Sequence, residues 1–337
     1  MIGGHHIHHR TIPDMAPLYP LRFEPLLRRY LWGGRKLGTL LGKPLGEGND
    51  YAESWEVVDR AADQSRVAAG PLAGTSLNEL MQAHGLELLG RHHPQPRFPL
   101  LFKFLDCEKT LSVQVHPDDE QAARLNPPDF GKTEAWVVLA AEPGSVIYAG
   151  LKRGFDRHAL EREVQRGACE LCLYRFQPQP GDCLFLPAGA VHALGAGLVI
   201  AEIQQSSDAT FRLFDWNRLG PDGRPRPLHV DQALAAIDYK LGPLTPQSPR
   251  PTERPHVQRL VTCDKFVLDR WRFSRPEPVG GDGQFHLVAV IEGEIEAAGD
   301  PSGAPLARGQ TMLLPAALAP CLLTPKQSAT VLDIYLP

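Results

Sequence analysis

Apolar residues along most of the chain come in short runs broken by Gly and Pro, the pattern of strands joined by turns. LLFKFLDC, EAWVVLAAEPGSVIYAG and FHLVAVIEGEIEAAG are runs of this kind. In SVQVHPDDE (residues 112–120) the alternation has a period of two. An extended chain therefore projects Ser112, Gln114 and His116 to one side and Val113 and Val115 to the other, until Pro117 ends the strand. Two valines fall in a core and three polar groups face a cavity.

Two segments carry helical periodicity. TSLNELMQAHGLELLG (residues 75–90) opens on a capping Thr75 or Ser76 and sets Leu77, Leu80, Met81 and Leu88 near one face. HVDQALAAIDY (residues 229–239) is the second, and DDEQAARLN (residues 118–126) predicts a shorter helix after the polar strand. ACELCLYRF carries Cys169 and Cys172 in a segment whose apolar alternation predicts a strand.

An internal repeat organises these elements. GDCLFLPAGAVHAL from Gly181 and GQTMLLPAALAPCL from Gly309 share Gly-polar-x-apolar-apolar-Leu-Pro-Ala, and eleven positions separate Gly181 from His192 and Gly309 from Pro320. Proline thus stands in the second copy where the first has histidine. The unit resembles the second motif of the cupins, β-barrels in which a histidine at this place points inward as a metal ligand. The expected fold is mainly β, two cupin-type jelly-roll barrels with a few short helices, the first keeping a metal site and the second without one. The domain boundaries read from the sequence are a disordered extension over residues 1–17, a metal-binding barrel over 18–241, a Pro-rich linker over 242–255 (GPLTPQSPRPTERP) and a second barrel over 256–337.

Composition narrows the function classes. The chain has 337 residues, 43% hydrophobic and 22% charged, with a formal net charge of −4. It has no basic runs that would serve nucleic acid or an anionic membrane. No stretch approaches the roughly 20 apolar residues of a bilayer span, and no signal-peptide pattern opens the chain, so a cytoplasmic protein is expected. Six cysteines are too sparse for a disulfide scaffold and fit a reducing compartment. Small-molecule chemistry is the natural prior, in a monomer or homodimer.

The candidate chemistry lies in the first barrel. Gln114 and His116 share a strand face, GKTEAW adds Lys132 and Glu134 on one face of a second segment, and AGAVHAL adds His192. Nitrogen and oxygen donors with no thiolate suit Zn2+, with Mn2+, Fe2+ and Co2+ as alternatives.

VQVHPDD, GKTEAW, LPAGAVHAL and QQSSDATFRLFDWNR, together with LWGGRKL and YAESWEV, occur in the order and spacing of the type I mannose-6-phosphate isomerases, and the chain resembles the short bacterial form from about Leu18 to the C-terminus. The resemblance implies a zinc-dependent aldose–ketose isomerase that interconverts mannose 6-phosphate and fructose 6-phosphate through a cis-enediol. It implies Gln114, His116, Glu134 and His192 as ligands of one Zn2+ per chain, Arg212 and Lys132 as catalytic and substrate-binding groups, and Ser112 as a substrate or phosphate contact. Phe211 stands before Arg212 where the family commonly has tyrosine. A cupin oxygenase and a non-catalytic sugar-binding barrel are the competing readings, because cupins host unrelated activities.

Overall fold

The computed structural model describes residues 16–220 and 223–337. The extension expected over residues 1–17 falls outside them except for Ala16 and Pro17.

The N-terminal unit contains β1 (Leu26–Gly34), β2 (Tyr51–Val57), β3 (Leu100–Cys107), β4 (Val113–Val115), β5 (Glu134–Ala141), β6 (Ile147–Leu151), β7 (Leu173–Phe176), β8 (Cys183–Leu186), β9 (His192–Leu194), β10 (Leu198–Gln205) and β11 (Phe211–Phe214). They form two antiparallel sheets, ordered β1-β2-β3-β10-β5-β8 and β11-β4-β9-β6-β7. The C-terminal unit is one sheet built mainly on β12 (Val257–Thr262), β13 (Val267–Phe273), β14 (His286–Ala297), β15 (Thr311–Leu314) and β16 (Cys321–Tyr335). Its order is β12-β13-β16-β14, with β15 also paired to β14. The cupin-like, mainly β architecture expected from the repeat is present.

The repeat has a topological meaning. β8 lies on β5 with Leu186 opposite Glu134, and β15 lies on β14 with Leu314 opposite His286. Extending outward, β2-β3-β10-β5-β8 of the first unit corresponds strand for strand to β12-β13-β16-β14-β15 of the second.

Alternation along the first sheet decides what faces what. Phe102 and Phe104 of β3, Val137 of β5 and Ile203 of β10 pack against Phe266, Leu287, Leu313 and Ile334 of the C-terminal unit in one shared core. Burial of each such side chain contributes about 1.5–3 kcal/mol. The intervening residues, Leu105, Trp136, Val138, Leu198 and Ile200, line the interior of the first barrel. Lys103, Glu134 and Glu202 occupy the same inward phase, so the period of two that buries the interface also delivers three charges to the barrel floor.

Helices form where the periodicity predicts them. Leu77–Leu89 is capped by Ser76, whose side chain and that of Glu79 close a reciprocal capping box, and Leu77, Leu80, Met81 and Leu88 are all buried. Asp119–Ala122 starts from a second capping box, between Asp118 and Gln121, and Val230–Ala236 follows the last strand of the first unit. Cys169–Cys172 is a 3-10 turn rather than the predicted strand, with the strand beginning only at Leu173. A 3-10 turn puts residues three apart on one side, which lets both thiols enter the same apolar cluster; a strand would have sent them to opposite faces.

Between the units, residues 242–255 carry only the two-residue strand Arg250–Pro251. The segment is nevertheless pinned to the first barrel, Leu244 N donating to Ala149 O at 3.1 Å and Gln247 N to Cys183 O at 2.7 Å. Gly150, at φ +75°, makes room for it: a Cβ there would meet Gly242 O at 1.9 Å.

Candidate metal centre and active site

Strand pairing assembles the centre from four segments distant in sequence. His192 on β9 lies directly opposite Gln114 on β4, and Gln114 in turn lies opposite Arg212 on β11. Val113 and Val115 are fully buried on the far side of β4, as the alternation requires. Glu134 opens β5 on the facing sheet, and the ligand atoms of His116, Glu134 and His192 all lie within 4.8 Å of one another.

The protonation of the two rings is fixed by their outer nitrogens. His116 Nδ1 lies 2.9 Å from Ala209 O, and His192 Nδ1 lies 2.8 Å from Ala190 O. A carbonyl only accepts, so each Nδ1 carries the proton and each Nε2 presents a lone pair. Burial drives the His116 ring well below the usual histidine range, reinforced by the Lys132 charge, and pushes His192 down to about 4. Both rings are therefore neutral near pH 7. Their Nε2 atoms lie 3.4 Å from the Glu134 carboxylate, whose Oε1 has no hydrogen-bond partner among the described residues and whose Oε2 is met only by the Lys132 ammonium.

Two lone pairs and a carboxylate aimed at one point call for a cation, and the Lys132 ammonium reaches only His116 and Glu134 from one side, so the set of nitrogen and oxygen donors fits a divalent metal. Lys132 Nζ stands beside the site, 3.0 Å from Glu134 Oε2 and 3.1 Å from His116 Nε2. Burial pushes the Glu134 carboxyl up to about 7 despite the Lys132 charge. The Gln114 amide is 3.3 Å from His192 Nε2, and rotating it by half a turn presents its oxygen to the same point.

A second buried cluster adjoins the centre. Lys103 Nζ lies 3.2 Å from Glu202 Oε1 and 3.5 Å from Glu53 Oε2, while Trp136 Nε1 donates to Glu202 and Trp55 Nε1 to Glu53. Burial disfavours the Lys103 charge, but the Glu202 and Glu53 carboxylates more than reverse it and raise its pKa. Burial likewise opposes the Glu202 charge, and Lys103 and Lys132 overcome it. These residues are absent from the motif-based set. Their sequence signal is a charge inside an otherwise apolar strand, Lys103 in LLFKFLDC and Glu202 in LVIAEIQQ.

Arg212 lines the same cleft, of about 320 Å3, with Ser112, Lys132 and Arg226. Asp215 is taken by Arg218 and Arg226, leaving Arg212 to donate to Pro227 O at 2.7 Å, with no partner for its Nε among the described residues. Burial and the Arg226 charge lower its pKa. Ser112 is buried at the cleft wall. Of the seven residues singled out from the sequence, Ser112, Gln114, Lys132, His192 and Arg212 line this cavity, and His116 and Glu134 adjoin it through Lys132.

Around the candidate donors, Gln205 and Asp119 tie the segments that carry His116 and Glu134 together. Thr133 N, adjacent to Glu134, donates to Gln205 Oε1 at 3.0 Å, and Gln205 Nε2 donates to Asp119 Oδ1 at 2.9 Å. Asp119 follows His116 by three residues and receives Lys265 of the C-terminal unit at 2.7 Å.

Comparison with known proteins agrees with this geometry. The catalytic-domain model of type I phosphomannose isomerase matches residues 21–133. Mannose-6-phosphate isomerase ManA of Bacillus subtilis is 33% identical over 307 residues, covering 88% of this chain and 93% of that protein. The chain belongs to the type I phosphomannose isomerase family. Among other relatives in the family, the mannose-6-phosphate isomerase of Streptococcus mutans is 30% identical over 298 residues, covering 88% of this chain and 92% of that one. The crystal structure of a Bacillus subtilis mannose 6-phosphate isomerase superposes with a TM-score of 0.86 at 28% identity, covering 95% of this chain and all of that one. A putative mannosephosphate isomerase from Archaeoglobus fulgidus, at 23% identity and a TM-score of 0.74, shares the fold. No helix among the described residues is long and apolar enough to cross a membrane.

Proposed function

We propose that this chain interconverts mannose 6-phosphate and fructose 6-phosphate, with one Zn2+ held by His116, Glu134, His192 and Gln114. The reading is carried by the pair of neutral, carbonyl-fixed histidines whose Nε2 atoms converge on the buried Glu134 carboxylate beside a cleft lined by Arg212. When bound, the ion would polarise or orient the sugar oxygens at C1 and C2.

The chain's own groups do the rest. Moving a proton between C2 and C1 through a cis-enediol needs a proton carrier and donors for the oxygens that gain charge. Lys132 Nζ is the proposed carrier, with Glu134 and His116 within reach of its protons. Arg212 supplies a fixed fork of donors that stays charged, and its freedom from Asp215 leaves it for an enediolate oxygen or the phosphate. Ser112, on the cleft wall, is assigned to the phosphate end. Lys103 offsets one of the two buried carboxylates Glu202 and Glu53, and Lys132, 3.8 Å from Glu202 Oε1, brings a second cation to the floor.

A coupled assay of mannose 6-phosphate turnover, run on protein as isolated, after chelation and after Zn2+ is restored, tests this. Activity that vanishes and returns supports the assignment. A folded, zinc-loaded protein with no turnover overturns it and favours a binding barrel or an oxygenase.

A further inference from the structure

The strand correspondence between the two units puts a second polar cluster at the place the active-site floor occupies in the first. Counted from the paired β8 and β15, His286 on β14 stands where Glu134 stands on β5. One strand further, Asp333 lies opposite Val288 as Glu202 lies opposite Trp136. One strand beyond that, Asp269 lies opposite Asp333 as Lys103 lies opposite Glu202. Arg259, opposite Asp269, completes the row where Trp55 faces Lys103. Four polar or aromatic floor positions are thus occupied in both barrels, with different charges.

This row is an expensive arrangement to keep as mere packing. Asp269 and Asp333 are 3% and 1% exposed and oppose each other directly across a strand pair, where like charges destabilise. Each has been given a cation: Arg259 pairs with Asp269 through Nε and Nη2, and His286 Nδ1 lies 2.8 Å from Asp333 Oδ1. Tyr335 OH donates to Asp269 Oδ2 at 3.0 Å. The cluster opens on a cleft of about 650 Å3. Trp271, two residues beyond Asp269 on the same strand face, lines that cleft at 5% exposure, and its indole Nε1 has no hydrogen-bond partner among the described residues.

The chemistry of the walls selects the ligand. A metal is disfavoured because His286 Nε2 is also engaged, 3.2 Å from Asp282 Oδ1, leaving neither ring nitrogen a free lone pair. A strongly charged ligand gains little, since Arg259 and His286 balance Asp269 and Asp333, and the remaining lining charges, Arg250, Arg254, Glu253 and Asp282, balance as well. What the cleft holds is the Trp271 indole N–H, buried and unpaired at its wall, and the remaining lone pairs of two carboxylates and of Tyr335, whose hydroxyl donates to Asp269 and accepts from Arg259. Hydroxyl groups, each both donor and acceptor, match that set.

We propose that the mouth of the C-terminal barrel is a second, non-catalytic binding site for a neutral polyhydroxylated ligand of hexose size, contacted by Trp271, Asp269, Asp333 and Tyr335. The site is independent of the metal centre.

The test is a titration of full-length protein carrying 15N-labelled tryptophan with D-mannose, and separately with inorganic phosphate, following the five indole N–H resonances by NMR. Trp271→Phe assigns the relevant signal. The expected result is a saturable shift of the Trp271 resonance with mannose and none with phosphate, retained in His116→Ala and lost in Asp269→Asn or Tyr335→Phe. Tyr335→Phe is the gentler variant and decides the matter if Asp269→Asn does not fold. A Trp271 signal unmoved by mannose, or one that responds only while the metal centre is intact, overturns the proposal. Since the readout is not turnover, a failed isomerase assay and a failed second site are separate results.

Discussion

The two barrels present histidine in opposite chemical states from nearly the same frame. In the first, His116 and His192 give their Nδ1 protons to backbone carbonyls and sink into the interior, so burial keeps them neutral and their Nε2 lone pairs converge on Glu134. In the second, both nitrogens of His286 face carboxylates; burial opposes its charge, but Asp333 and Asp282 outweigh it and raise the ring to about 10. A buried histidine bonded to a carbonyl through one nitrogen keeps a lone pair on the other, whereas one held between two carboxylates is kept as a cation.

The largest effect should come from breaking the first barrel's side of this contrast. His116→Ala or Glu134→Ala removes a proposed metal donor, and with several kcal/mol of transition-state stabilisation at stake the expected loss in kcat/KM is on the order of a thousandfold or more. The coupled assay reads it, and unchanged circular dichroism shows that the fold persists.

Next comes the floor. Lys103→Met leaves Glu53 and Glu202 buried without their shared cation, and breaking such a pair costs about 3–5 kcal/mol. Chemical denaturation should show that loss at pH 7. A variant as stable as the parent would mean that the cluster is solvated.

His286 provides the matching test in the second barrel, with a pH signature. Its folded pKa is raised, so its contribution is fully present below the ordinary value of about 6.5 and is lost as pH rises through about 10. Wild type should therefore lose stability relative to His286→Asn across that window, by a few kcal/mol on the order expected from the shift. Parallel curves would show that the ring is not held as a cation.

A smaller effect is expected from Gln205→Leu, which cuts the link between the Thr133 backbone and Asp119 while touching no ligand. Loss of an outer partner of this kind typically weakens metal binding by about 10-fold or more, read as faster release of added metal to a chelator. Smallest of all is Pro320→His, which restores the repeat's histidine but should create no metal site. The position equivalent to Glu134 is His286, already consumed by two aspartates.

Much of this was legible in the sequence because strand alternation is local. VQVHP declares its two faces, and the Leu-Pro-Ala repeat announces the paired units before any coordinate is known. Lys103, Glu202 and Glu53 escaped because their importance depends on register between β2, β3 and β10, which no single strand encodes. The 3-10 turn at Cys169–Cys172 escaped for a related reason. Apolar residues spaced for a strand were reassigned by a tertiary demand to bury both thiols on one side. The second cluster, at His286, Asp333 and Asp269, is invisible without the pairing of three strands.

The most direct measurement is Co2+ binding followed by its visible d–d absorption, on protein in which His5, His6, His8 and His9 are changed to serine so that the N-terminal histidines take no ion. The account predicts one Co2+ per chain, bound in wild type and in His286→Asn and lost in His116→Ala and in His192→Ala. A folded protein that binds no Co2+, or one whose binding depends on His286 and survives His116→Ala, would contradict it.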